Sequence, residues 1–198
     1  MLQIGRPSQS RVAHAPDFTD PLGLLVHCHV KIELQLEALE KAVRMLANDD
    51  GDATPFAMAI IAAARAHFSG PAVRHTADEE ESLFPRLRKF AGDADSGLIA
   101  ALRELEGQHR YLDTVHAKFD ELIDVAGAEP EPGQLDIDEL ELTVGELLGI
   151  YRPHIQMENE IIYPEAVRIL SPDEVLAVGQ EMRARRGLPA VIGSEADH

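Results

Sequence analysis

The sequence has one cysteine, Cys28, no tryptophan, and aromatic side chains at only 5% of its 198 positions. A single thiol excludes an internal disulfide framework, and with it any zinc or iron–sulfur site built on several thiolates. Scarce aromatics leave Leu, Ile, Val and Ala to build the core, a composition that leans helical. Basic residues are few as well, 18 against 35 acidic ones, for a net charge of −17. Nucleic acid and anionic membrane surfaces both call for a basic patch, so neither is expected as the main partner. The apolar run at Ala57–Ala64 is far short of the roughly 20 residues that span a bilayer. The opening segment MLQIGRPSQSRVAHAPDF has no apolar signal core, so a cytoplasmic location is expected. What remains is ordinary for one folded domain: 45% hydrophobic and 27% charged residues, too apolar for a disordered chain.

Residues 1–20 read as an irregular N-terminal arm, residues 21–170 as the main domain, and residues 171–198 as a short helix and tail. From Leu22 the apolar positions run Leu25, Ile32, Leu36, Leu39, Val43 and Leu46, three and four apart once His29 takes the one gap, the mark of an amphipathic helix ending near Asn48–Gly51. Thr54-Pro55 caps a second helix reaching about Ala91, which Gly70-Pro71 should kink or interrupt. A third begins near Asp95 or Ser96, with the stripe Leu98, Leu102, Leu105, His109, Leu112, His116, Phe119, Ile123. After a loop at Pro130–Gly133, a fourth starts near Asp136 with the stripe Leu140, Val144, Leu147, Tyr151, His154, Glu158, Ile162, Ala166, and Pro153 should bend it. Ser171-Pro172-Asp173-Glu174 then starts a short fifth helix to about Arg186. No strand or hairpin pattern is present. The expected fold is all-α, an antiparallel up-down four-helix bundle with a short C-terminal fifth helix.

Titratable side chains interrupt these stripes at His29, His75, Glu79, His109, His116, His154 and Glu158. Two matching pairs occur, His75-Thr-Ala-Asp-Glu79 and His154-Ile-Gln-Met-Glu158. Residues i and i+4 share a helix face, so each pair can aim one imidazole and one carboxylate at one metal. In an antiparallel bundle, residues equally far from a shared turn are level. His29 is 19 residues before Asn48 and His75 is 21 after Thr54; Glu79 is 12 before Ala91 and His109 is 14 after Asp95; His109 is 17 before Ala126 and His154 is 18 after Asp136. At about 1.5 Å per residue these mismatches are a few ångströms. All four helices therefore bring a ligand-type side chain to one layer, where unpartnered burial would cost several kcal/mol, on the order of the usual polar penalty. A shared metal centre removes that cost. Four imidazoles and two carboxylates without thiolate suit iron or manganese better than calcium or structural zinc. Two metals bridged by Glu79 and Glu158, with two histidines each, leave room for a solvent-derived bridge and an open position.

The order His … HxxxE … His … HxxxE resembles the hemerythrin-like, HHE cation-binding domains. The local text carries the likeness: DPLGLLVHCHVKIE around His29, HTADEEESLFPRL around His75 and Glu79, LEGQHRYLD around His109, HIQMENEIIYPEA around His154 and Glu158. The resemblance implies a non-haem di-iron site in a four-helix bundle, two iron ions joined by carboxylates and an oxo or hydroxo group, with His29, His75, Glu79, His109, His154 and Glu158 as metal ligands. It also implies dioxygen, peroxide, nitric oxide or iron itself as the species bound or sensed. Oxygen-carrying hemerythrins differ at two points: they have a second histidine in the third helix where this chain has Asp113, and His-x4-Asp where it has His154-x3-Glu158. One fewer imidazole argues against reversible oxygen carriage.

Several neighbours read otherwise. His27 points away from the stripe and should be exposed; His116 is a core or outer-layer histidine; His67 has no assignable direction; Cys28 is off the stripe. Asp113 shares a face with His109 as a possible extra ligand, and Tyr151 could hydrogen-bond into the site, though packing is the simpler role. Glu106 and Glu33 are placed to accept the outer ring N–H of His109 and His29, with a solvated flank as the simpler reading. Asp78, Glu80 and Glu81 should form a solvated face. No residue is assigned a catalytic role, and a metal-binding protein without enzymatic activity ranks ahead of a di-iron oxidase or peroxidase. That enzyme class uses paired Glu-x-x-His motifs, of which only Glu106-Gly-Gln-His109 is present. A metal-free interaction module, with Met182-Arg-Ala-Arg-Arg186 as the contact, is the third reading. Oligomeric state is open, a homodimer being compatible.

Overall fold

The computed structural model describes residues 17–48, 54–92, 95–128 and 134–189. The expectations for most of the N-terminal arm, the Pro130–Gly133 loop and the end of the tail lie outside these residues. Helix α1 spans Pro21–Ala47, with the Asp20 carboxylate accepting from the Gly23 N–H and Pro21 in the first turn. Helix α2 runs Thr54–Phe90, α3 spans Ser96–Ala128, α4 covers residues 134–169, and α5 spans Pro172–Arg185. There is no strand among the described residues. The chain is an all-α bundle of four long helices with a short C-terminal helix.

Gly70-Pro71 does not interrupt α2. The helix widens there into a π-helical turn, Phe68–Ala72, and continues. Wider turns recur at Glu79–Leu83 and Glu158–Ile162. In both, the N–H of the residue five positions on, Phe84 or Tyr163, reaches back to the carbonyl of the glutamate. A proline follows each time, Pro85 and Pro164. Proline donates no hydrogen bond and crowds the carbonyl four residues back; an extra residue in the turn relieves both problems. Helix α4 also passes through Pro153 without ending.

Two apolar clusters form the core. One contains Ile32, Leu36, Leu39, Ile61, Phe68, Leu112, Phe119, Leu147, Tyr151 and Ile155; the other contains Leu25, Leu83, Phe84, Leu87, Leu102, Leu105, Ile162 and Tyr163 with Val178 and Met182 of α5. On every long helix the two clusters lie on opposite sides of the histidine–glutamate positions, and their chain order alternates from helix to helix. This is the up-down arrangement. Cross-helix pairs agree: Arg65 with Asp120 and Asp124, Glu80 with His109, and Arg88 with Glu106 run in opposite order along α2 and α3. By length and composition alone Thr54–Phe90 could cross a bilayer. Its Ala57, Ile61 and Ala64 pack in the bundle core, however, and Arg65 is tied to α3, so it is a bundle helix.

Helix α5 closes one end of the bundle. Ser171 caps it by accepting from the Glu174 N–H, and Gly179 lies so close to the Phe18 carbonyl that a Cβ would sit 1.9 Å from its oxygen. Arg86 of α2 pairs with Glu174 and Glu181 at 2.9 and 2.7 Å. Asp78 is fully buried and receives both Arg185 and Arg186. The solvated face expected here is therefore corrected at Asp78 and Glu80, whereas Glu81 is exposed as expected. Arginines from α5 cover Asp78 and also reach Glu81, while Glu80 turns to His109. In the Met182–Arg186 segment, Met182 is fully buried and Arg185 and Arg186 pair with Asp78.

Candidate metal centre

Between the two apolar clusters lies a polar layer. His29 comes from α1, His75 and Glu79 from α2, His109 from α3, and His154 and Glu158 from α4, and all six are buried. Ligand atoms of His29, His75, Glu79 and Glu158 lie within 4.8 Å of one another, as do those of His109, His154 and Glu158. Glu158 spans the two groups, with Oε2 at 3.0 Å from His29 Nε2 and Oε1 at 3.2 Å from His154 Nε2. Glu79 Oε2 sits 3.6 Å from His75 Nε2 and 3.7 Å from His109 Nε2.

The hydrogen bonds at the outer edges of the rings decide what the inner edges offer. Nδ1 of His29 faces Asn159 Oδ1 at 2.9 Å, Nδ1 of His109 faces Glu80 Oε1 at 2.8 Å, and Nδ1 of His154 faces Gln108 Oε1 at 2.8 Å. Oxygen acceptors assign the proton to Nδ1 and leave Nε2 as a bare lone pair. His109 and His154 then point lone pairs at each other across 3.1 Å, and the Nε2 atoms of His29 and His75 approach to 3.0 Å. Glu79 Oε2 and both oxygens of Glu158 are buried without a hydrogen-bond partner. Lone pairs and carboxylate oxygens converging without protons between them are what a cation needs, so the residues present fit a metal.

Electrostatics in the metal-free layer point the same way. Burial, reinforced by His29, pushes His75 down to about 3, so it is a neutral donor at physiological pH. Burial and the charge of Glu158 raise Glu79 well above the usual carboxylate range. Burial opposes the charge on Glu158 too, but the adjoining His154 and His29 outweigh it and hold that carboxyl below its ordinary value.

The chain matches the family model described as the hemerythrin HHE cation binding domain over residues 20–166. It belongs to that family. No curated protein matches it closely. Membership in the HHE family identifies a cation-binding helical protein, and the buried His/Glu clusters are the part of this chain that can hold the cation.

Of the residues outside the HHE set, His27 is exposed and Cys28 is a free, half-buried thiol. Asp113 is exposed and stands apart from the layer. His67 is half-buried with its ring against Phe68. Tyr151 bonds to His116 Nε2 at 2.8 Å rather than to a ligand. Glu33 is exposed and Glu106 is tied to Arg88. The outer partners of His29 and His109 therefore come from other helices, as Asn159 and Glu80. With Glu106 paired elsewhere, the lone Glu-x-x-His motif contributes only its histidine.

Tyr163 is the residue the stripes miss. Its buried hydroxyl donates to Glu79 Oε1 at 2.6 Å and lies 3.2 Å from His29 Nε2, with the ring stacked on His29. Phe84, at the same offset after Glu79, stacks on His109. The π-helical turn adds one residue and swings both rings inward. The signal was legible as a proline six residues after each glutamate, Glu79…Pro85 and Glu158…Pro164.

Proposed function

We propose that this HHE protein is a non-haem di-iron protein that binds or reacts with dioxygen, peroxide or nitric oxide in the cytoplasm, and that it is no reversible oxygen carrier. The observation that carries the reading is the pair of ligand groups sharing Glu158. Two imidazoles serve each position, His29 with His75 and His109 with His154, and both carboxylates stand between them. Iron held there would supply electrons to, and a binding position for, a small oxygen- or nitrogen-derived ligand.

The chain's own contribution is orientation and charge. Asn159, Glu80 and Gln108 fix the tautomers of His29, His109 and His154, so Nε2 is always the inward donor. Tyr163 holds Glu79 through one oxygen and leaves the other free. Two carboxylates among six ligands favour the ferric over the ferrous state, which opposes return of intact oxygen.

The test is anaerobic reconstitution with Fe(II), followed by cycles of oxygen exposure and evacuation. The expected result is iron uptake and oxidation that evacuation does not reverse. Recovery of the diferrous spectrum over repeated cycles would establish a carrier and overturn the reading.

A further inference from the structure

A cavity of about 230 Å³ lies against one side of the polar layer, with His75, His109 and His154 in its wall. The same wall carries a polar pair that the metal set does not use, His116 and Tyr151, joined at 2.8 Å. Tyr151 is buried among the apolar residues, with its ring against that of His154. His116 is half-buried, packed on Phe68. A tyrosine hydroxyl in an apolar wall, anchored by a histidine and adjoining a space that also reaches three metal ligands, is placed to meet whatever fills that space.

We propose that this cavity is the binding site for the exogenous ligand, and that Tyr151, held by His116, is its hydrogen-bonding subsite. The proposal rests on the di-iron reading above and names the ligand class: a small molecule carrying both a donor and an acceptor, of the peroxide kind. Neutral imidazole presents one donor and one acceptor. With the proton on Nε2, His116 donates to the Tyr151 oxygen and the phenol O–H is free to donate to the ligand. With the proton on Nδ1, Nε2 accepts from the phenol, whose oxygen then accepts from the ligand. The pair thus serves a protonated or a deprotonated ligand without changing its own charge. Burial lowers the pKa of His116 and so favours its neutral form. Carboxylates of Glu80, Glu81 and Asp113 also line the cavity, which selects against multiply charged anions and for neutral or singly charged molecules.

Azide is the probe, titrated into the iron-loaded, oxidised protein and followed by its difference spectrum and its N–N stretching frequency. Tyr151→Phe should weaken azide about tenfold, the usual worth of one hydrogen bond to a charged ligand, and shift the stretch, with iron content and melting temperature at wild-type values. His116→Leu should weaken azide less, because the phenol stays but loses its anchor. Azide affinity within about twofold of wild type in Tyr151→Phe, with an unshifted stretch, would overturn the subsite alone. Failure of the wild-type protein to take up iron would overturn the di-iron reading and the subsite together.

Discussion

On one side of the His/Glu layer, Tyr163 and Phe84 lie against His29 and His109, and Val178 and Met182 of α5 complete the packing. On the other, Ile32, Phe68, Leu112, Tyr151 and Ile155 surround a cavity with three of the histidines in its wall. The same four helices supply both sides, so the difference lies in two local devices. The π-helical turns after Glu79 and Glu158 turn an aromatic ring under the layer, and α5 is bolted over that end by Arg86, Arg185 and Arg186. One side is packed and pinned, and the other holds a cavity.

The largest expected effect comes from Glu158, the residue shared by the two ligand groups. Glu158→Ala should remove nearly all bound metal, whereas His27→Ala, at an exposed position one turn face away, should leave metal content unchanged; elemental analysis reads both. Metal loss also lowers thermal stability, since a ligand at a hundredfold excess over its Kd is worth about 2.7 kcal/mol. Chelation of the wild-type protein should lower its melting temperature in the same direction.

Asp78→Ala attacks the sealed side. Two arginines lose a buried partner but can reach water, so the cost should be about 2–3 kcal/mol in chemical denaturation. The rate of azide binding should not change. Faster azide binding would show entry through the α5 side and break the comparison. Tyr163→Phe makes the two seals alike. It strips Glu79 Oε1 of its donor and should cost about 1–2 kcal/mol in the metal-free protein, a loss that Phe84→Leu would incur through packing instead.

The smallest effect concerns α5 and pH. The hydrogen bond from Arg86 holds Glu181 below its ordinary value of 4.5. A depressed folded-state value stabilises above the unfolded value and is lost as pH falls through the folded one. Wild type should therefore exceed Glu181→Gln in urea midpoint at neutral pH, with the gap closing below about pH 4.5. A gap that widens in acid would show that another group governs α5.

Much of this arrangement was legible from spacing. Apolar stripes and capping residues outlined five helices, and distances from the turns placed His29, His75, His109 and His154 at one height, where the structure brings them together with Glu79 and Glu158. Departures arose where a residue's surroundings come from elsewhere in the chain. Asp78 looked solvated because nothing in its own helix foretells Arg185 and Arg186. The acceptors for His29 and His109 were sought one turn away, yet the bundle supplies them across helices. Tyr163 fell off the stripe because regular 3.6-residue counting does not hold through a widened turn.

The central claim, two metal positions joined by Glu158, is tested most directly by anomalous diffraction at the iron edge from crystals of the iron-reconstituted protein. The account predicts two peaks in the polar layer, one between His29 and His75 and one between His109 and His154, each beside an oxygen of Glu158. A single peak, or peaks outside this layer, would contradict it.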